Sequence, residues 1–431
     1  MRCALAAGLL CAAQAAAAAG AAGAAGLQAG TGRAPIDPPP AQLPIRNNYD
    51  SPLVGVHDSL YARALFVQAG DSKAIIVVAD VIMLPDDFCE QLWTRIAAEF
   101  GVEREHVWLA ATHVHTVPWS LGNGYAEVVT RGILAAIGQA RTRLEPVRVG
   151  AGSGTAYVNM NRDEAVPGGF ILGQDPEGAS DKTVRVVGFF RRDGSPLAIL
   201  ANYAVHAVSL YSSDTAGAHA ALVSADIPGV ADRFVDEHYA AQRTQTFWTS
   251  GAAGDQNPIV MSIHAEPDSH GKVQLTDLQS AGFTLTQRLG QALALEIIRV
   301  TDRLAPQDVT APLRVTQAVV SCATKADAAA VDAPAQRPIR VSHLGIGPVD
   351  LLGISGEVTT LVDQHLRERL GERQSRLLTL TLTNGYAGYL PDEVMYARGN
   401  TFEVGKSAFP PGCVEHSIVD SALRLLGPAA Q

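Results

Sequence analysis

Cysteine and charge are both scarce in this chain. Its 431 residues include 5 cysteines, and Asp, Glu, Lys and Arg together make up only 18%. So few cysteines exclude a disulfide-dense scaffold, and Cys89, Cys322 and Cys413 stand too far apart for zinc-finger spacing. No long run of like charge occurs, and with 47% hydrophobic residues the chain has ample material for a core, which excludes general disorder. The formal net charge of −10 withholds the basic face that a phosphate backbone requires, so nucleic acid is excluded as the main partner. Beyond the N-terminal stretch no apolar segment approaches the length of a membrane span. An internal repeat is also lacking.

What is present begins at the N-terminus. Arg2 is followed by an uncharged stretch, Cys3 to Gly32, built mostly from alanine, leucine and glycine. A short basic region, an apolar run and repeated A-x-A sites predict a signal peptide over residues 1–32. The alternative is an uncleaved anchor helix, disfavoured because alanine and glycine make the run only weakly apolar. Cleavage leaves Cys89, Cys322 and Cys413, so at most one disulfide forms and at least one thiol stays free. Residues 33–44 are proline-rich and predict a linker or extended arm, with residues 45–431 forming one domain. The expected location is outside the cytoplasm, secreted or periplasmic.

Along that domain the periodicity alternates. Lys73 to Val81 (KAIIVVADV) is an apolar, β-branched run suited to a strand buried on both faces. Asp86 to Phe100 has helical spacing, with Phe88, Leu92, Ile96 and Phe100 at four-residue steps. Val107 to Ala111 is the next strand and Tyr125 to Arg143 the next helix. Thr183 to Ser195 and Leu197 to Tyr203 flank an Asp-Gly hairpin signal. Gly229 to Ala240 and Thr284 to Val300 are helical, Ala305 to Asp332 is a weakly patterned crossing segment, and Val349 to Ile354 and Leu377 to Leu382 are buried strands. This order predicts an α/β fold, a layered mixed sheet with flanking helices.

Four chemistry-bearing groups follow buried strands, where open α/β folds place their sites. Thr112-His113-Val114-His115 puts two imidazoles on one side of an extended segment, able to address one metal. His206 ends ANYAVH, and alone such a histidine is more often structural. Glu357 follows Gly356 in an apolar setting and needs a metal or an arginine as partner. Tyr386 and Tyr389 lie in the turn TNGYAGY, where ordinary packing is the plain alternative. Two polar segments accompany them. VNMNRDE offers Asn161 and Arg162, the arginine suited to an anion or a polarised carbonyl. SGAAGDQNP offers Asp255 and Asn257, which either orient a ligand or close a turn.

Taken in order, LAATHVHTVP, VNMNRDE, DKTVRVVGFFRRDGSPLAILANYAVHAVS, SADIPGVAD, SGAAGDQNP, SGEVTT and TNGYAGYLP resemble the neutral/alkaline (non-lysosomal) ceramidase family. The matches extend from about Leu53 to Tyr396. The resemblance implies one zinc ion per chain, held by His113, His206, Glu357 and Tyr386. It further implies hydrolysis of an N-acyl amide by a zinc-activated water, with His115 and Arg162 as catalytic groups and Tyr396 as a weaker candidate. Asn161, Asp255 and Asn257 are the expected substrate-binding residues. The chain departs from the family in two ways. GDQNP runs into IVMSIHAEPDSHGKV without the family's longer cysteine-containing loop and its serine, for which Ser262 and Ser269 are only positional counterparts. The chain also ends soon after the tyrosine motif, so the family's C-terminal immunoglobulin-like domain is expected to be absent.

The expected function is therefore zinc-dependent cleavage of ceramide or a related lipid amide, with transient contact at a membrane surface. A second reading keeps the zinc and changes the substrate to a non-ceramide ester, lactone or small amide. A (β/α)8 amidohydrolase also opens on H-x-H, but on its first strand, whereas here a strand-helix unit comes before it. The non-enzyme alternative is an exported binding protein that keeps the fold without turnover.

Overall fold

The computed structural model describes residues 26–427 except 48, 50, 120, 123, 218, 268–272 and 326–335. Eight strands form the main sheet: β1 (Gln28–Pro35), β2 (Tyr61–Ala69), β3 (Ser72–Ala79), β4 (Val107–Ala111), β5 (Glu145–Thr155), β6 (Thr183–Arg191), β7 (Pro196–Tyr203) and β8 (Gln245–Ser250). Their order across the sheet is β8-β7-β6-β5-β1-β2-β3-β4. The inner neighbours are antiparallel. The two outer pairs, β3–β4 and β7–β8, are parallel.

The apolar runs are buried on both faces because each face has its own partner. Ile75 and Val77 of β3, with Leu109 of β4, face helices α1 (Asp86–Phe100) and α2 (Tyr125–Thr142). Val186 and Ile199 face α3 (Asp226–His238) and α4 (Gly282–Thr301). The alternate residues Ile76, Trp108, Phe189 and Leu200 turn the other way, onto Leu344, Leu351 and Leu380 of a second sheet. That sheet comprises β9 (Arg314–Ala323), β10 (Gln336–Ile346), β11 (Val349–Ile354) and β12 (Leu377–Leu380). Its outer face is covered by α5 (Thr360–Leu370) and α6 (Val414–Leu426). The result is four layers, helices on sheet on sheet on helices, the layered α/β fold expected from the alternation.

Three segments show more structure than their sequence pattern suggested. The boundary at residue 32 between leader and linker falls inside β1, which pairs with β2 from Gln28↔Gln68 to Pro35↔Tyr61. The small residues of QAGTGRAP accommodate a helix: a Cβ on Gly30 or Gly32 would strike the carbonyl oxygens of Ala140 and Ala136 on α2. Their smallness suits a close strand–helix approach. Residues 1–25, the rest of the expected leader, lie outside the described residues. The proline-rich stretch is likewise not a free linker, since Ile36 is buried and its N–H donates to the carbonyl of Leu60 at 2.8 Å. Finally, the crossing segment contains β9, paired along its length with β10. Its alternating half-exposed pattern hid it, as expected for a sheet-edge strand. Within β9, Cys322 is disulfide-bonded to Cys413, just before α6, and Cys89 remains a buried thiol.

Candidate metal centre

Three parallel strand pairs end at one place. β4 runs into His113, while the segment after its neighbour β3 brings up the carbonyl of Ile82, which lies 2.7 Å from His113 Nδ1. β7 runs into His206, while the segment after its neighbour β8 brings up the carbonyl of Ala253, 2.6 Å from His206 Nδ1. From the second sheet, β11 leads to Glu357 and β12 to Tyr386. The outer edges of the main sheet meet here, with Val114 bridged to Ala207 and Ser250 Oγ donating to the Thr112 carbonyl at 3.2 Å. Asn384 ties the tyrosine turn to β4, since its N–H donates to the Leu109 carbonyl at 2.8 Å and its Oδ1 accepts from the Leu109 N–H at 2.9 Å.

The backbone carbonyls determine what the imidazoles present. A carbonyl only accepts, so Nδ1 of His113 and of His206 carries a proton, which leaves Nε2 as the atom each ring turns toward the centre. Both Nε2 atoms point at one carboxylate oxygen, Glu357 Oε2, at 3.2 and 3.1 Å. His115 Nε2 lies 3.4 Å from His113 Nε2. Tyr386 donates its hydroxyl to the other oxygen, Glu357 Oε1, at 2.5 Å. His113, His115 and His206 place their ligand nitrogens within 4.8 Å of one another, a group able to hold a metal ion. Two imidazole nitrogens meeting on one buried carboxylate oxygen form a nitrogen-and-oxygen donor set of the kind that holds a cation.

The charge states agree. Burial, reinforced by the Arg162 charge, lowers His206 to about 4, so its ring is neutral at neutral pH. Burial and the neighbouring His113 hold His115 well below the usual histidine range. Burial pushes Glu357 upward, but close contact with the imidazoles of His113 and then His206 outweighs it and keeps the carboxyl well below its ordinary value. Burial and the Glu357 charge raise the Tyr386 hydroxyl well above the usual range.

Arg162 lies beside this cluster and is itself 4% exposed. Glu403 Oε1 accepts from its Nε at 2.7 Å, Asn257 Oδ1 from its Nη1 at 3.3 Å, and the Tyr389 hydroxyl from its Nη2 at 3.1 Å. The guanidinium also rests over the rings of Tyr389 and Phe402. His113, His115, His206, Glu357, Tyr386, Arg162 and Asn257 therefore come together as expected.

Others are placed differently. Asn161 and Asp255 are consumed by the scaffold. Asn161 Nδ2 donates to Asp255 Oδ2 at 3.0 Å, and Asp255 Oδ1 accepts from Thr360 N–H and hydroxyl at 2.9 and 2.7 Å. Tyr396 stands one layer behind, donating to the Phe409 carbonyl at 2.8 Å and lying 3.2 Å from Ser407 Oγ, which in turn bonds the Tyr389 carbonyl. Tyr389, singled out in sequence beside Tyr386 with ordinary packing as the alternative, is the tyrosine at Arg162. Ser262 is fully buried, its Oγ 2.8 Å from Ser213 Oγ, and Ser269 lies outside the described residues. Glu403 went unnoticed in sequence. Its only signal is the capped turn TFE, in which Thr401 caps the short Phe402–Lys406 helix.

Fold and site together define a layered α/β protein with a candidate metal centre at converging strand ends. The sequence matches the family model described as neutral/alkaline non-lysosomal ceramidase, N-terminal, over residues 30–269, and the chain belongs to that family of hydrolases. Among solved structures it is similar to a ceramidase complexed with C2, with a TM-score of 0.73 and 18% identity over 92% of this chain and 74% of that one. It is also similar to the neutral ceramidase from Pseudomonas aeruginosa, with a TM-score of 0.72 and 19% identity over 93% and 74% of the two chains.

Proposed function

We propose that this protein is a zinc-dependent amidase that hydrolyses the N-acyl bond of ceramide or a related lipid amide. The observation that carries the reading is the pair of histidines anchored through Nδ1 to backbone carbonyls, whose Nε2 atoms meet on Glu357 Oε2. His113, His206, Glu357 and Tyr386 would hold one zinc ion, imidazole nitrogen and carboxylate oxygen being donors that suit it. When bound, zinc supplies Lewis acidity that polarises a carbonyl and acidifies water. Arg162, kept cationic by Glu403 and Tyr389, stabilises the negative charge that develops on the substrate oxygen. His115, neutral and beside the cluster, takes up and returns a proton. Tyr389 replaces Tyr396 as the tyrosine in reach of the reaction. Asn257 faces the substrate through Arg162.

Export fits the chemistry of Cys322 and Cys413, since a structural disulfide persists in an oxidising compartment. No described helix is long and apolar enough to cross a membrane.

The test is metal content of the purified protein, paired with hydrolysis of a fluorescent long-chain ceramide before and after chelation. One zinc per chain with chelator-sensitive cleavage is the expected result. Zinc without cleavage would overturn the ceramide assignment. One observation favours a second reading on the same centre: Ser262, the described counterpart of the family's active-site serine, is tied to Ser213 inside the fold. That reading, a smaller ester, lactone or amide, requires short acyl chains to outcompete long ones in a substrate panel.

A further inference from the structure

Behind Arg162 lies a second buried carboxyl, that of Asp163, beside Glu403. Asp163 is 1% exposed and Glu403 0%. Glu403 spends Oε1 on Arg162, at 2.7 Å from Nε and 2.7 Å from Nη2. Its Oε2 receives no hydrogen bond, and neither does either oxygen of Asp163. The charged groups that face Asp163 are Glu403, Asp255 and Arg162. Asp255 is already satisfied by Thr360 and Asn161. One guanidinium therefore confronts more negative charge than it can balance, and adjoining carboxyls in a dry site do not both ionise. A proton on Asp163 removes the excess and gives Glu403 Oε2 its missing donor in one step.

We propose that Asp163 holds a proton and donates it to Glu403 Oε2, and that the two carboxyls act as positioning residues which keep a single negative charge against Arg162. The inference rests on the role given to Arg162 under the proposed function. Burial, then the Glu403 charge, raises the Asp163 carboxyl to about 8, in keeping with that arrangement. Loss of this proton at alkaline pH places a second, undonated charge beside Glu403 and breaks the geometry that holds the guanidinium. Turnover then falls as pH rises through the Asp163 titration, while the metal centre, which contacts neither carboxyl, keeps its ion.

The test is an infrared titration of the full-length, metal-loaded protein, read at the carbonyl stretch of protonated carboxyl groups, alongside the pH profile of kcat. The expected result is a carboxyl band that disappears near the pH at which kcat declines. In Asp163→Asn, whose amide donates to Glu403 at every pH, the band is absent and the alkaline decline moves upward by about one pH unit or more. Glu403→Gln should lower kcat about tenfold with KM and zinc content near the parent's, as expected for a loosened oxyanion donor. No such band, or a decline unmoved in Asp163→Asn, would overturn the proposal. So would a second metal ion that survives His206→Ala and is lost in Asp163→Asn, because the carboxyls would then be holding a cation. If the parent fails to hydrolyse any amide, the role of Arg162 falls, and the infrared band still decides whether the proton is there.

Discussion

On the ring of His206 one nitrogen is anchored to the Ala253 carbonyl and the other is offered to the centre. Removing this proposed ligand should leave the protein folded with near-zero zinc and no hydrolysis in His206→Ala, measured by metal analysis and the ceramide assay on one sample. Retention of parent-level activity would remove the residue from the centre. Arg162→Ala should behave differently. Its contacts run to Glu403, Asn257 and Tyr389, so turnover should fall by about 10²–10³-fold with zinc content unchanged. Acid acts on the histidine too. Because His206 is lowered from 6.5 to about 4 in the fold, the unfolded chain takes up its proton first. The metal-free protein should therefore lose stability as pH falls from about 6.5 to about 4, whereas proton competition at His206 should weaken zinc affinity only as pH nears about 4 and below, as chemical denaturation and competition titration would show. At this scale the sequence was legible where a residue's type announces its chemistry: the histidines, Glu357, Tyr386 and Arg162. It singled out Tyr389, Asn161 and Asp255 without showing their partners, because those contacts depend on which neighbour lies within bonding distance.

Elements are where that limit has a cause. α1 at Asp86–Phe100, β4 at Val107–Ala111 and β11 at Val349–Ile354 match the periodicity residue for residue, because each buries a continuous apolar face against a regular partner. β1 and β9 do not, because one is built from small residues under a helix and the other alternates at an exposed edge. The same close packing makes a prediction at the turn after β8. Gly254 donates its N–H to the Val358 carbonyl at 2.8 Å, and an added Cβ would lie 2.9 Å from the carbonyl oxygens of both Glu357 and Val358. Both are backbone atoms and cannot swing aside. Gly254→Ala should cost about 2 kcal/mol in denaturant unfolding and should also weaken zinc binding, because the strand it displaces carries Glu357. A stability loss with unaltered zinc affinity would show that Glu357 is held by something else.

For the whole molecule, the candidate site draws on residues from His113 to Tyr386, so its geometry exists only when both sheets are docked. The disulfide supports one flank of that docking by joining β9 to the start of α6 across a separation of 91 residues. Reduction should lower unfolding free energy by about 3 kcal/mol, compared in denaturant with and without reductant. It should leave the metal ligands themselves untouched, since none is a cysteine. The first described strand has a further consequence. β1 lies in the middle of the main sheet, between β5 and β2, although it precedes both in the chain. A ribosome therefore releases the central stave long before the staves on either side exist, and two halves of the sheet wait on one eight-residue ribbon. A chain begun at Ile36 would carry two raw facing edges across a vacant slot. A synthetic peptide spanning Leu27 to Ile36, added in trans, is the piece cut to fill it, so this hydrolase could be switched on by reconstitution at a point remote from its chemistry.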